Sequence, residues 1–537
     1  MTIRQLEPCC VGQRLSDLAA RMPDQTAVVH DEEQLTYKEL HEWSEQFARR
    51  LLGMGIRQGD RVCVMTVKDI RLIIAIYGCF KAGAVYVPLD PGNPDARLQY
   101  IVSSAKPSVF VSPEEERDRL HSLMPEAPHI RTESFMKNGA DEQVHDENVE
   151  LAVGTLPPVS LDAPAYCMFT SGSTGVPKGV VIRHDSLIAF FEAADNYMSL
   201  NEQSRCLNLA PFFFDAVVVD AFYPLYRGAT VYLYDGLILP TTVMGMVEEA
   251  RITEFTAVAP ILTMIADSGL MDEYNLSSVK TIWTGADVLN VKSTQQWLSR
   301  IPGLTIVNGY GPTEATCACL AHPISQLEPD RVEPYPIGKP FAGIRIQIVD
   351  EHMQPLPQGE SGELLVSGIQ ILDHYWDNPE ETKRRVVVLS GLRYYRTGDI
   401  CSIDQAGDVH YIGRVDDEIK ILGRRINLNE IRQALFAQPL VLDATTFVVE
   451  DESQGKMLGV AVAVEANTLL TEAVGEDILS NMEERLPSYM MPRRLVLLRQ
   501  LPKLPSDKTD KQRLIRMVQS SKASDRGIIM VSNVMNR

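Results

Sequence analysis

The chain has 537 residues, of which 45% are hydrophobic, 23% charged and 7% aromatic; this excludes collagen-like, low-complexity and wholly disordered classes. Fifty-one basic residues against 71 acidic ones give a net charge of −20. Such a balance repels polyanions, so nucleic acid and anionic membranes are excluded as first partners and a large acidic enzyme is favoured.

The N-terminus, Met1 to Pro8, has no apolar run of signal-peptide length. Leu40, Trp43, Phe47 and Leu51 recur at helical spacing and predict a helix over 37–52, with Thr36 placed to cap it. Arg61 to Met65 reads as a buried strand, Ile70 to Lys81 as a helix, and Ala84 to Pro88 and Ser108 to Val111 as further strands. The most apolar stretch, Leu72 to Phe80, stops at Lys81, about half a membrane span. Residues 131–149 are polar and acidic, as a surface connection would be. The strand-helix rhythm returns over 205–310, predicting a second helix-covered sheet. Beyond about residue 335, strand-like runs (Ile344 to Val349, Glu363 to Ser367, Asp408 to Ile412) separated by turn residues predict a smaller, β-barrel-like section. From Arg414 to Arg516, short strands (Ala444 to Val449, Gly459 to Val464) mix with amphipathic helices, as in a compact α+β module. The stretch 517–537 shows no periodicity and reads as a flexible tail. Nine cysteines are too few for a disulfide scaffold, and Cys9-Cys10 and Cys317-x-Cys319 lack the further ligands of a zinc site. The expected location is cytoplasmic.

The most informative segment runs from Met168 to Val180. An apolar strand enters a loop, Thr170-Ser171-Gly172-Ser173-Thr174-Gly175-Val176-Pro177-Lys178, of small and hydroxyl-bearing residues ending in a lysine. Glycines admit backbone N–H groups to phosphate oxygens, Ser and Thr add donors, and Lys adds charge. It is not a Walker A loop, since Lys178-Gly179 lacks the following Ser or Thr. The string resembles the phosphate loop of the adenylate-forming superfamily, which contains acyl-CoA ligases, luciferases and amino-acid adenylation domains of nonribosomal peptide synthetases. Further segments match in order: Leu35 to Leu40, Lys81 to Pro91, Asn308-Gly309-Tyr310-Gly311-Pro312-Thr313-Glu314, Gly362 to Gly368, Tyr395 to Asp399, Tyr411 to Asp416, Leu486 to Pro492 and Leu501 to Lys508. The resemblance spans about residues 10–516.

It implies an α/β fold: a large N-terminal domain (1–413) of two helix-covered sheet subdomains and the smaller β section, then a small mobile C-terminal domain (414–516). The implied activity joins a carboxylic acid to ATP, releases pyrophosphate and passes the acyl group to a thiol, with ATP and Mg²⁺ required. By resemblance, Thr170, Ser171, Gly172, Ser173, Thr174, Gly175 and Lys178 wrap the β- and γ-phosphates. Thr313 contacts the α-phosphate and Glu314 helps hold Mg²⁺. Asn308 reads the adenine amine, Tyr310 packs on adenine between Gly309 and Gly311, and Asp399 holds the ribose with Ile412 and Arg414 beside it. Lys508 is the expected catalytic lysine, with Lys503 and Lys511 as competitors. Ser506-Asp507 stands where Asn-Gly is usual, which puts the turn before Lys508 in doubt. Asp416 matches the hinge about which relatives rotate the small domain, bringing Lys420 and Gly423 to the adenylate for thiol transfer. Leu422 replaces the usual arginine there.

Phe214-Asp215-Ala216 matches the start of the family's amino-acid pocket. An aspartate among apolar residues needs a cation, and a substrate ammonium is the natural one, although capping a following helix is the bland alternative. By alignment, Ala216, Val219, Ala257, Ile282, Thr284, Gly309, Cys317 and Ala318 line the rest, with Ala257, Gly309 and Ala318 leaving room. Asp215 and Lys508 are the only charged side chains expected there, favouring a neutral aliphatic or cyclic amino acid. No condensation signature or carrier-attachment motif occurs, which suggests a free-standing enzyme loading the phosphopantetheine thiol of a separate carrier protein; the resemblance also admits a small accessory activator protein. A ligase using free coenzyme A is the enzymatic alternative, and a noncatalytic ligand-binding relative the alternative of another class.

Overall fold

In a computed structural model the residues described are 9–136, 154–170, 176–415, 418–421, 423–451, 455–464, 468–503, 509–520 and 528–530. Local chemistry sets the first long helix. Thr36 accepts from the Glu39 N–H while the Glu39 carboxylate accepts from the Thr36 N–H, and the helix Tyr37–Gly53 follows. Its apolar stripe packs on the helix Ile70–Ala82, where Leu72 to Phe80 are all buried. Gly78 permits that approach, since a Cβ there would stand 2.3 Å from the Phe47 ring. The apolar run is therefore core, and no helix among the described residues is long and apolar enough to cross a membrane.

The chain divides into two compact units. The larger holds the described residues up to Pro91, Val102–Phe169 and Lys178–Val415. It contains a six-stranded sheet in the order His129–Arg131, Val109–Ser112, Arg61–Met65, Val85–Leu89, Pro164–Thr170, Lys178–Arg183. Its second sheet has nine strands: Lys339–Pro340, Leu320–Ile324, Thr305–Tyr310, Thr281–Thr284, Glu254–Thr256, Arg205–Asn208, Thr230–Leu233, Thr26–His30 and Glu33–Thr36. The middle strands run parallel and the edges antiparallel. Both faces of this sheet are buried: Cys206, Trp283 and Val307 face one core, while their neighbours Leu207, Ile282 and Ile306 face another. The expected barrel-like section is a five-stranded antiparallel sheet built around Leu392–Ile403, with Arg345–Val349, Gly362–Ser367, Val386–Leu389 and Val409–Arg414.

The smaller unit holds 92–101, 170, 176–177 and the described residues from 418 onward. Arg97 joins it through a buried ion pair with Glu430. A hairpin, Glu418–Ile421 with Arg424–Asn427, precedes a four-stranded sheet of Val441–Asp451, Gly455–Val464, Arg494–Leu498 and Ile528–Met530. Helices Leu428–Phe436 and Glu472–Glu483 contribute to one of its cores, and Lys511–Ser520 to another.

Two expectations change. The stretch taken for a tail opens with the end of the helix Lys511–Ser520, and Ile528–Met530 adds a parallel strand to the sheet. Three residues are too few to register as periodicity, whereas the backbone of a neighbouring strand supplies the hydrogen bonds that fix them. Within the supposed surface connection, Phe135 is buried 4.8 Å from Phe47, and residues 137–149 lie outside the described residues.

Candidate functional site

Thr170 ends its strand with its hydroxyl buried and unpartnered. Ser171 to Gly175 lie outside the described residues, as do Asp416 and Lys508. Lys178 opens the next strand and is almost wholly buried. An isolated buried ammonium is costly, and three groups answer it. Glu381 Oε1 is 3.2 Å and Glu314 Oε1 3.9 Å from Nζ, and the Tyr375 ring centre lies 5.0 Å away. Burial raises the Glu381 carboxyl, but Arg384 and Lys178 outweigh it and leave it below its ordinary range. Glu314, fully buried, also accepts from the Tyr375 hydroxyl at 2.6 Å, and its backbone carbonyl accepts from Leu372 N–H at 2.7 Å. Tyr375 and Glu381 carry no motif signal in the sequence; their role follows from the cation they enclose.

Glu314 lies on the short turn Thr313–Ala315, directly after the strand Thr305–Tyr310. The chain then passes through Thr316 (φ 57°) and Cys317 (φ 69°), a left-handed pair that is unfavourable by about 1–3 kcal/mol each. Thr316 Oγ1 donates to Gln370 O at 2.6 Å and Gln370 Nε2 donates to Ala318 O at 2.9 Å, locking the turn. Gly311 allows it to fold back, since a Cβ there would stand 2.6 Å from Ala318 Cα.

In the last residues of that strand, Asn308 Nδ2 donates to Pro336 O at 2.8 Å, which leaves its amide oxygen as acceptor, the polarity an exocyclic amine requires. The Tyr310 hydroxyl donates to Asp399 Oδ2, and Arg414 Nη1 donates to Asp399 Oδ1 at 2.6 Å. Asp399 and Arg414 are both buried, so the pair is held in a low-dielectric setting. Ile412, two residues before Arg414, is exposed. The structure thus brings Lys178 and Glu314 together, and Asn308, Tyr310, Asp399 and Arg414 together, with one strand and turn carrying members of both groups.

The amino-acid residues are distributed differently. Asp215 and Ala216 are half-buried before a π-helical turn, Val218–Phe222, that contains Val219. Val219 and Ala318 share a core cluster, with Cys317 packed against it. Ala257 and Ile282 belong to the other cluster, across the nine-stranded sheet, so the expected single lining is not formed by these side chains. Strand alternation explains this: Trp283, not Ile282, points to the Val219 side. The Thr284 hydroxyl is buried and unpartnered. Gly309 does not leave room, because a Cβ there would stand 2.6 Å from Trp283 Nε1. Nor is Asp215 the only carboxylate nearby. Asp220, buried one turn later, accepts from Asn208 Nδ2 at 2.8 Å and Ala210 N–H at 3.1 Å. Burial pushes its carboxyl up to about 7 despite those bonds and the neighbouring Lys68. Lys68, which donates to Tyr234 O at 2.7 Å, is itself lowered by burial to about 8.

In the smaller unit, Lys420 lies on the hairpin and Gly423 occupies its turn at φ 75°, a left-handed conformation that suits glycine. Of the competitors to Lys508, Lys503 sits 3.8 Å from Asp443, and Lys511 is exposed at the start of its helix. Among the described residues no group of three or more His, Cys, Asp or Glu forms a metal cage. One or two carboxylates still fit Mg²⁺, which takes its remaining oxygens from water and phosphate.

Residues 15–376 match the AMP-binding enzyme family and residues 430–508 match the AMP-binding enzyme C-terminal domain. Over 512 residues the chain is 32% identical to a linear gramicidin synthase polypeptide of Brevibacillus parabrevis, covering 94% of this chain and 10% of that protein. The chain thus spans about a tenth of the length of that relative. Holo-PA1221, an NRPS protein containing adenylation and PCP domains bound to a vinylsulfonamide inhibitor, superposes with a TM-score of 0.80 at 25% identity, over 95% of this chain and 84% of that one. The o-succinylbenzoate CoA synthetase (MenE) of Bacillus subtilis shares the fold, with a TM-score of 0.79 at 20% identity, over 93% of this chain and 98% of that one.

Proposed function

The chain belongs to the AMP-binding enzyme family, and on that premise we propose that it activates a neutral amino acid as its aminoacyl-adenylate and transfers it to the phosphopantetheine thiol of a separate carrier protein. The observation that carries this reading is one strand and turn holding Asn308 and Tyr310, bonded through to Asp399 and Arg414, next to Glu314 beside Lys178. This order of side chains supports a reading in which adenine, ribose and phosphate are met in turn along one strand and turn.

In the first step a substrate carboxylate oxygen attacks the α-phosphorus of ATP; that P–O bond forms and the bond to pyrophosphate breaks. Two anions meet, so fixed cations and fixed geometry govern the rate. Lys178 exchanges its pairs with Glu381 and Glu314 for phosphate oxygens. Glu314 would hold Mg²⁺, which when bound would neutralise charge at the phosphates. Asn308 Oδ1 accepts from the adenine amine, Asp399 accepts from the ribose hydroxyls with Arg414 alongside, and Thr313 donates to the α-phosphate. Asp215 pairs with the substrate ammonium, and Lys508 bridges carboxylate and α-phosphate. In the second step the thiolate attacks the acyl carbon, the acyl–phosphate C–O bond breaks and AMP leaves; Asp416, Lys420 and Gly423 serve this step.

The test is amino-acid-dependent ATP–pyrophosphate exchange over a broad panel, followed by loading assays with a phosphopantetheinylated carrier alone and coenzyme A alone. Exchange with neutral amino acids and loading of the carrier are expected. Exchange only with acids lacking an amine would sink the reading. Lys508→Ala is expected to abolish exchange while preserving transfer from supplied aminoacyl-adenylate.

A further inference from the structure

A cavity of about 570 Å³ opens beside the strand pair Val386–Leu389 and Leu392–Ile403, and none of the residues assigned to ATP or amino acid lines it. That volume is within the range of small-molecule sites, about 300–1,000 Å³. Alternation along the short strand shapes one wall. Val387 and Leu389 pack on the core of Val349, Leu365 and Tyr394, so Val386 and Val388 take the other face and line the cavity. Val388 is 67% exposed, an apolar side chain that the fold itself leaves uncovered. Its cross-strand partner is Arg393, which shares that face and lines the cavity as well.

A second wall is the helix Pro379–Arg385 with the turn that leads into it. Arg384 and Arg385 turn to Glu381, at 2.7 and 3.5 Å, whereas Lys383 lines the cavity and makes no ion pair among the described residues. Arg393 commits Nη2 to the Asp373 carbonyl at 2.9 Å and keeps further guanidinium donors. With His374, whose Nδ1 is 2.8 Å from Asp373 Oδ2, these side chains gather positive charge on an apolar surface in a chain of net charge −20. The one lining carboxylate, Asp377, is 3.2 Å from the Lys106 ammonium. The same helix reaches the phosphate neighbourhood, since Glu381 is 3.2 Å from Lys178. Thr382, another lining residue, accepts from Tyr375 N–H and donates to Asn378 O, each at 3.0 Å, which ties the helix to the turn.

We propose that this cavity binds a small organic anion, a carboxylate or phosphate head on an apolar chain. Val386 and Val388 take the chain, and Lys383 and Arg393 take the head. A head group bridging those two cations clamps the helix on the strand pair and holds Glu381 on Lys178. ATP needs Lys178 released from that pair, so the anion and ATP oppose each other from separate sites. Binding of the anion is independent of the amino-acid reading; its effect on ATP rests on that reading.

The experiment is calorimetric titration of the full chain with octanoate, octyl phosphate and octylamine, in the wild type, Lys383→Glu and Val388→Ser. One equivalent of at least one of the two anions is expected to bind, and the tighter of them identifies the head group. Lys383→Glu should weaken that anion by at least about tenfold, as loss of a charge-assisted bond does, and Val388→Ser by a smaller factor. Both variants should keep the wild-type KM for ATP when no anion is present. In ATP–pyrophosphate exchange the anion should raise KM for ATP severalfold in the wild type and leave it unchanged in Lys383→Glu. Failure of both anions to bind overturns the proposal, as does octylamine binding as tightly as either. Anion binding that survives both variants also overturns it, because the anion then sits elsewhere. An anion that binds as expected and leaves KM for ATP unchanged overturns the link to Lys178. If no amino acid supports exchange at all, the activation reading has failed, and the titrations still decide the site.

Discussion

The proposed nucleotide and amino-acid neighbourhoods around the strand Thr305–Tyr310 are built on opposite terms. On the nucleotide side Asn308 is bonded to Pro336, Tyr310 and Arg414 share Asp399, and Tyr375 and Lys178 share Glu314. On the amino-acid side the Tyr166 hydroxyl is buried without a partner. A network satisfied in advance holds its donors and acceptors in place for a ligand of fixed shape. Unsatisfied groups leave the choice of ligand to whichever molecule completes them. The contrast therefore separates common chemistry from individual specificity.

The contrast can be broken most forcefully at Asp399. Asp399→Ala strands the buried Arg414 guanidinium and should lower stability by about 3–5 kcal/mol, read as a drop in the denaturation midpoint, while raising KM for ATP. Glu314→Gln keeps the shape but removes the charge facing Lys178. It should reduce kcat/KM for exchange by about a hundredfold with only a modest change in thermal midpoint.

Asp220, buried beside Asn208 and Lys68, gives a pH test. Its folded pKa near 7 lies above the ordinary 3.8, so the folded chain holds a proton there that the unfolded chain has released. The stability this contributes is complete below about pH 4 and is lost as pH rises through about 7. Denaturation curves at pH 5 and pH 8 should show that fall in the wild type and a smaller one in Asp220→Asn. The smallest effect belongs to the unsatisfied side: Tyr166→Phe deletes a hydroxyl with no partner and should shift stability by no more than about 1 kcal/mol, in either direction. A loss as large as that for Asp399→Ala would erase the distinction.

Features set within a few residues were legible in the sequence. Thr36 formed the expected cap, with Glu39 completing it, and the strand Arg61–Met65 appears with its expected bounds, because capping and apolar runs are local. The ordered motifs likewise nominated Lys178, Glu314, Asn308, Tyr310 and Asp399, which the fold draws into two linked groups. What escaped depends on distant partners. Gly309 looked like open space, but whether a missing side chain leaves room depends on Trp283 in the next strand. Ile282 looked like pocket wall because alignment carries no information about which face it takes beside Trp283. Asp220 lay in an apolar run whose burial, and hence whose raised carboxyl, exists only once the fold closes over it, with Asn208 and Lys68 offsetting part of the rise.

The central claim, that this chain activates an amino acid and holds it by its ammonium, is tested most directly at Asp215. ATP–pyrophosphate exchange is measured with the best amino acid and its des-amino analogue, in the wild type and in Asp215→Asn. The account predicts strong exchange with the amino acid and little with the analogue in the wild type, and at least about a hundredfold loss in the variant. Equal exchange with both acids, or an Asp215→Asn enzyme that retains full amino-acid-dependent exchange, would contradict it.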